Sequence, residues 1–182
     1  TVASGIASSK LTGALPAISG ASLTGITQGI TEYDMWRLAS SFTSDVSPII
    51  NNLERVDTYG FEKIGTGMSV SSGLWSFPST GKWRIEANWT IEFGISAPDV
   101  KLAIRGTTNN STYNEIGKLY IGDRSAQGAI KNNTQASYLF DVTNTTNCKV
   151  RFSTHNSSGD VTTLGSSSEN WTYFTFIKVG ES

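Results

Sequence analysis

The residue types that most often carry acid–base or nucleophilic chemistry are scarce in this sequence. It contains one histidine, His155, so any Ser–His–Asp or Cys–His arrangement must use it. His155 lies in the polar segment 154–160, which is typical of a solvated loop. No second His or Cys completes a zinc ligand set around it. We therefore predict no catalytic residue, no metal site and no cofactor.

The carboxylates do not suggest a polysaccharide-cleaving site either. Glu86 and Glu92 share one face of a predicted strand, but they are about 20 Å apart at about 3.3 Å per residue. Paired glycosidase carboxylates lie only about 5–9.5 Å apart. Several Asn-x-Ser/Thr segments occur, including those at Asn88 and Asn170, and a sequence rich in Asn and Thr produces them by chance. We predict that the protein is not an enzyme and that it acts by binding or assembly.

The composition excludes some classes of binding partner. Charged residues make up 16% of the 182-residue chain, against roughly 25% in an average globular protein. The net charge is −1, without the basic stripe that nucleic-acid or anionic-membrane binding requires. No run approaches the roughly 18 apolar residues of a membrane span. The lone Cys148 is expected to be a small buried hydrophobe, which favours folding where disulfides are not formed.

Residues 1–30 differ from the rest of the chain. They contain no aromatic residue and one charge, Lys10, and an apolar–hydroxyl–glycine triplet recurs at 11–13, 18–20 and 23–25. Such small residues cannot fill the core of a monomer. Three intertwined copies could bury the apolar positions on a shared axis, and the alternative is a flexible linker. The predicted stalk contacts are Leu11, Leu15, Ile18, Leu23 and Ile26.

Alternating hydrophobicity predicts β-strands along the rest of the chain. The clearest strand runs from Lys82 to Phe93, where apolar residues occupy every second position. Trp36, Leu38 and Phe42 favour a first strand, whereas Thr31 and Asp34 have the spacing of a weak helical cap, and Ser47-Pro48 indicates a turn. Further predicted strands are Val100–Arg105, Ile116–Ile121, Ala136–Val142 and Cys148–Ser153. About eight antiparallel strands predict an all-β sandwich or jelly roll, divided as stalk 1–30, junction and first strand 31–60, and head 61–182.

The last strand is apolar on both faces. Trp171, Tyr173, Ile177 and Val179 point one way, and Phe174 and Phe176 point the other. A strand of this kind must be covered on both sides. We therefore predict that it reaches a subunit interface through Tyr173, Phe174 and Phe176; the alternative is a strand in the middle of a thick sandwich.

Three parts of the chain carry a resemblance to known families. Residues 73–83, GLWSFPSTGKW, resemble the Gly–hydrophobe–Phe–x–Pro turn of jelly rolls of the complement and tumour-necrosis-factor type. The closing strand 172–180, TYFTFIKVG, resembles the terminal strand of the same group. The stalk at 11–26, followed by 36–38 and 52–57, is similar to the C-terminal parts of bacteriophage tail fibres.

The resemblance implies a homotrimer with the last strand near the threefold axis. It also implies a virion protein, assembled in the host cytoplasm, whose fibre tip attaches to a glycan or protein on a bacterial surface. The irregular triplet spacing excludes a collagen helix. Two alternatives stay open: a purely structural fibre or trimerisation cap, and a secreted lectin-like or signalling head.

Strand parity predicts where a ligand binds. If eight strands alternate in direction from the stalk end, the loops at about 94–99, 122–134 and 154–168 fall at the free tip. Polar loops on a rigid scaffold are common recognition sites. The predicted receptor-binding residues are Asp123, Arg124, Gln127, Lys131, Asn132, His155, Asn156 and Asp160.

Overall fold

Alternating apolar and polar residues build a two-layered β structure. The computed structural model describes residues 29–43, 45–94, 97–123, 130–156 and 161–182, so the predicted stalk contacts Leu11 to Ile26 lie outside the described residues. The described part contains twelve strands and no helix: β1 Tyr33–Leu38, β2 Ser40–Phe42, β3 Leu53–Arg55, β4 Ser69–Ser71, β5 Leu74–Ser76, β6 Gly81–Phe93, β7 Ala97–Thr107, β8 Asn114–Asp123, β9 Ile130–Val142, β10 Lys149–Asn156, β11 Val161–Ser166 and β12 Tyr173–Gly180.

The strands form two antiparallel sheets. Sheet A has seven strands in the order β2-β11-β6-β12-β1-β3, with β9 paired to the other side of β6. Sheet B has five strands in the order β4-β5-β10-β7-β8. Most neighbouring strands are distant from each other in sequence. This is the pattern of a sandwich closed by long crossovers, not of a simple meander. Residues 31–60 supply β1, β2 and β3 of sheet A.

The core lies between the sheets and is largely aromatic. On β6, Trp83, Ile85, Ala87, Trp89, Ile91 and Phe93 are fully buried, as the predicted alternation requires. Trp75 of β5 is also fully buried and contacts Trp36 of β1 edge-on at 5.1 Å between ring centroids. Cys148 is free and buried, which confirms the sequence-based interpretation.

The inner face of β12 corrects one prediction. Phe174 and Phe176 are fully buried inside their own chain. Phe174 stacks on Phe152 of β10 at 3.9 Å, and Phe176 lies 5.0 Å from the Trp75 ring. Since no surface of either ring is left for another subunit, assigning this pair to a trimer interface is wrong. The two rings join sheet A to sheet B.

The glycines of the 73–83 segment have conformations that other residues rarely adopt. Gly73 has φ +73°, and a Cβ there would lie 2.5 Å from the Ile49 carbonyl oxygen. Gly81 has φ +140°, and a Cβ there would lie 2.7 Å from the Gly180 carbonyl oxygen. Glycine therefore permits both the left-handed backbone and the close approach of neighbouring chain.

Three connections leave the sandwich at one end. Phe93 pairs with Ile130 and with Val161 in sheet A, and Ala97 pairs with Asp123 in sheet B. The connections β6–β7, β8–β9 and β10–β11 therefore emerge together, as strand parity predicts. They are shorter than the predicted loops, because β7, β9 and β10 extend into them and β11 occupies 161–166. We call this the loop end.

The N-terminal part of the described chain lies at the opposite end. Tyr33 pairs with Ile177, which pairs with Arg84 near the start of β6. Gly29 and Thr31 line a small cleft with the end of β12 at Lys178–Gly180. Along β6 this end is about 40 Å from the loop end at about 3.3 Å per residue. Thr31 and Asp34 form no helical turn: Asp34 lies in β1, where its buried carboxylate accepts hydrogen bonds from Arg55 and the Met68 amide.

Candidate functional site

A cavity of about 410 Å³ opens on the outer face of sheet A, towards the loop end. Its walls come from β6, β9 and the segment before β12. The lining combines one indole ring, three amides, one hydroxyl and two charged groups. The lining residues are Thr90, Lys131, Asn132, Asn133, Glu169, Asn170 and Trp171.

Hydrogen bonds from β6 fix the backbone at Trp171. The Trp171 carbonyl accepts a bond of 2.6 Å from the Thr90 hydroxyl and one of 3.0 Å from the Asn88 amide. The Thr90 amide in turn donates to the Thr172 hydroxyl at 3.2 Å. Since Asn88 and Thr90 lie in the central strand of the sheet, the indole is held on a rigid support.

Charged groups flank the indole on two sides. Trp171 Nε1 donates to Glu169 at 2.7 Å. The Lys131 ammonium lies 4.6 Å from the centroid of the Trp171 ring, in a cation–π contact. Lys131 is also 3.9 Å from a Glu92 carboxylate oxygen, a loose ion pair between partly exposed side chains.

A buried arginine holds the third wall. Arg37 of β1 is 1% exposed and points to the outer face of sheet A. It donates to the Ser167 carbonyl and, at 3.5 Å, to the Asn170 side-chain oxygen. It also donates to Glu54 at 2.6 Å and to Asp57 at 2.9 Å. Arg37 therefore ties the segment that carries Asn170 and Trp171 to β1 and to the segment at 54–57.

The structure brings two of the predicted receptor residues to this cavity. Lys131 and Asn132 both line it. Register places Lys131 opposite Glu92 on the outer face, whereas Asn132 pairs with the buried Ile91. The sequence places these residues in a loop, but both lie in β9.

Of the other predicted receptor residues, only His155 has a side chain that the structure describes, and it lies away from the cavity. His155 lies in β10 rather than in a loop, and its Nδ1 is 2.9 Å from Asp45. Alternation with the buried Phe152 puts His155 on the outer face of sheet B, across the sandwich from Lys131. Asp123 and Asn156 are the last residues of β8 and β10. Arg124, Gln127 and Asp160 lie outside the described residues.

Sequence reasoning missed the indole and the amides beside it. Trp171 was grouped with the last strand, but that strand begins at Tyr173. A tryptophan that follows the polar run 165–170 and precedes the first strand residue is a signal for a ring at the edge of the sheet, and Trp171 is partly exposed. Asn133 and Thr90 could be placed together only through the β6–β9 register, in which they are paired.

Nearer the opposite end, the outer face of sheet A carries an apolar patch. Tyr33, Met35, Tyr173 and Ile177 are half-buried there, and Leu139 and Val179 are more than half exposed. Burial, helped by the nearby Glu86 and Tyr173, raises the pKa of Tyr33. The patch centre at Arg84 and Ile177 is about 20 Å from the Thr90 row at about 3.3 Å per residue. We call these six residues the outer patch.

Among the described ranges, no group of three or more His, Cys, Asp and Glu side chains could hold a metal ion. The same residues include no helix long and apolar enough to cross a membrane.

Comparison with known proteins identifies the fold. No protein-family model and no curated protein sequence matches the chain. The structure of Eiger TNF from S. frugiperda is similar, with a TM-score of 0.60, 10% identity and coverage of 85% of this chain and 96% of that one. Murine APRIL at pH 8.5 is similar with a TM-score of 0.58, 11% identity and coverage of 81% and 98%. Murine APRIL at pH 5.0 gives a TM-score of 0.55 at 10% identity, with coverage of 81% and 99%. The predicted all-β jelly roll of the tumour-necrosis-factor type is thereby confirmed.

Proposed function

We propose that this chain is the head of a homotrimeric virion fibre whose loop end attaches to a bacterial surface. The observation that carries the proposal is that the chain enters the head at one end and presents its loops at the other. The described chain enters at one end beside Lys178–Gly180, and three connections leave at the other. The predicted stalk of residues 1–30 would therefore hold the loop end away from the particle.

The outer patch supports the trimeric state. β12 is an interior strand of sheet A, and its outer residues Tyr173 and Ile177 are only half-buried in a single chain. A strand that is apolar on both faces needs a second cover, and further copies of the same chain supply one in a closed symmetric assembly. Tyr173 remains the predicted interface residue of β12.

The free, buried Cys148 agrees with assembly in the reducing host cytoplasm. The absence of catalytic residues remains an expectation from the sequence.

Light scattering and cell binding test this function together. We expect the purified chain to have the mass of a trimer and, when fluorescently labelled, to bind some strains in a panel of bacteria. A monomer would refute the fibre head. A trimer that binds no bacterium would favour a purely structural cap.

The similarity to APRIL and Eiger TNF favours a second candidate, a secreted signalling head. Binding to animal cells but to no bacterium would support that candidate and overturn the first. Both candidates share the trimer, so the two cell types distinguish them.

A further inference from the structure

Resting on the proposed attachment function, we propose that the cavity beside Trp171 binds a neutral pyranose unit of a surface saccharide. Its volume of about 410 Å³ falls within the roughly 300–1,000 Å³ of small-ligand sites. The cavity is therefore large enough to hold a sugar unit.

The lining matches the two kinds of surface on a sugar ring. A pyranose presents a C–H face, which packs on an aromatic ring, and an edge of hydroxyl groups, which donate and accept hydrogen bonds. Trp171 supplies a large ring of low conformational freedom. Asn133 and Asn170 supply amides that each combine a donor and an acceptor, and Glu169 supplies a further acceptor.

The cavity is organised before any ligand binds. The Trp171 carbonyl is held by Thr90 and Asn88, and the Asn133 amide donates to the Thr90 hydroxyl at 2.7 Å. Arg37 holds Asn170 from behind. Since these groups already occupy fixed positions, little ordering has to accompany binding.

The charges favour a neutral ligand over an anionic one. The charged groups around the indole are Lys131, Glu92 and Glu169, with a formal sum of −1. The Lys131 ammonium lies over the indole ring on which a sugar would stack. When a sugar displaces the ammonium from the ring, Lys131 can keep its ion pair with Glu92. Exposed contacts of this kind are weak, so a neutral ring displaces the ammonium easily. A uronate or sialate carboxylate would instead face Glu169 and Glu92.

The position of the cavity relative to the outer patch determines which trimers leave it open. The patch centre lies about 20 Å away along β6 at about 3.3 Å per residue, but Tyr173, at the near edge of the patch, pairs with Asn88, two residues from Thr90. A trimer centred on Ile177, with Tyr173 at its edge, leaves the cavity free. Three cavities would then face the same surface, and their combined binding would strengthen a weak contact at each one.

Binding to immobilised saccharides tests the site. The probes are polymers of neutral hexoses, of N-acetylhexosamines and of uronate or sialate units, each presented to the wild-type chain. We expect binding to at least one neutral polymer and at least tenfold weaker binding to the anionic ones. Trp171→Ala should reduce the neutral binding at least tenfold. The matched control is Tyr120→Ala, which removes a 57% exposed ring from sheet B and should change nothing.

A second variant guards against misfolding of the first. Asn133 is exposed, so Asn133→Ala should keep the fold and trimer mass while weakening neutral saccharide binding. The proposal is overturned if no neutral polymer binds, or if both variants bind as the wild type does. It is also overturned if Trp171→Ala dissociates the trimer while the wild type binds no saccharide, since the cavity is then a subunit contact.

The failure of the saccharide site is distinguishable from failure of the fibre function. If Trp171→Ala still attaches to bacteria as a trimer, the fibre head stands and the saccharide site falls. If the wild type is monomeric or attaches to no bacterium, the function on which the site rests falls as well.

Discussion

Replacement of Arg37 should destabilise the head more than replacement of any exposed arginine. Arg37 is 1% exposed, yet its guanidinium bonds to five different groups. Two are carboxylates, those of Glu54 and Asp57, and the others are the Thr58 hydroxyl, the Asn170 amide and the Ser167 carbonyl. Arg37→Met keeps the length of the side chain and removes all of these bonds.

The magnitude follows from the exposure of the partners. Breaking a fully buried ion pair costs about 3–5 kcal/mol. Glu54 is 34% exposed and Asp57 is 77% exposed, so both carboxylates can hydrate once Arg37 is gone. We therefore count only the bonds to Glu54 and the Ser167 carbonyl, at about 1.5 kcal/mol each. Arg37→Met should lower the free energy of unfolding by about 3 kcal/mol. Arg37→Lys keeps the charge but loses the planar fork, and should cost about 1–2 kcal/mol.

Urea unfolding at pH 7 measures this loss. All variants should be compared at one subunit concentration, because dissociation of an oligomer makes apparent stability depend on concentration. The matched control is Arg105→Met, which removes a partly exposed arginine of sheet B whose partner Glu115 keeps Lys101 and Lys118; it should cost less than about 1 kcal/mol.

A second measurement locates the effect. Since Arg37 holds Ser167 and Asn170, amide hydrogen exchange across 167–171 should speed up in Arg37→Met and not in Arg105→Met. The reasoning is refuted if the two variants lose equal stability, or if exchange in this segment is unchanged.

Three further predictions follow from other buried or paired groups. Phe174→Ala should lower the free energy of unfolding by about 3–5 kcal/mol. Light scattering should show an unchanged trimer fraction among the folded protein. Dissociation of the folded head into monomers would show that the ring serves a subunit interface. Asp34→Asn should lower the free energy of unfolding by about 2–3 kcal/mol, because the Arg55 guanidinium loses its charged partner. Thermal unfolding measures this loss, and a drop in melting temperature no larger than that of an exposed Asp→Asn control would contradict it. Hydrogen bonds from Lys118 and Lys101 lower the pKa of Glu115 to about 2, so its carboxylate stabilises the fold above its ordinary pKa of 4.5, and this contribution fades as the pH falls from there towards 2. Glu115→Gln should therefore lower the free energy of unfolding by about 1 kcal/mol at pH 7, a small amount because the lysines are partly exposed. At pH 2 it should lower this free energy by almost nothing. An equal loss at both pH values would exclude the ion pairs as its source.

Strand positions could be predicted where one face of the strand is buried and the other is exposed to solvent. β6 shows this best, because its apolar residues alternate without a break and its inner face is fully buried. The short strands β3 and β4 have three residues each, too few for a period to show. β11 was taken for a loop because Ser, Thr and Gly dominate it, yet pairing with β6 and β2 makes it a strand.

Residue alternation alone cannot tell which apolar face meets the core. Phe174 and Phe176 were expected to reach another subunit, as was Tyr173, but the aromatic rings of sheet B cover the first two. That choice depends on Trp75 and Phe152, which are distant in sequence. Strand parity placed the ends of these strands on one side because it needs only an alternating direction, whereas its receptor-binding residues stay a prediction. The cavity could not be predicted, because its walls meet only through the β6–β9 pairing and the Arg37 contacts.

The pairing of β1 with β12 determines how the head responds to a pulling force. In the proposed fibre head, a ligand at Trp171 would pull on the loop-end start of β12, while the chain before Tyr33 would pull on the opposite start of β1. Because the two strands are antiparallel and paired from Tyr33–Ile177 to Arg37–Tyr173, these forces slide the strands along each other. The hydrogen bonds between them are loaded in shear, all at once, instead of opening one after another like a zipper. A head of the proposed kind, pulled in this direction, would therefore load the β1–β12 pair in the orientation that resists rupture best.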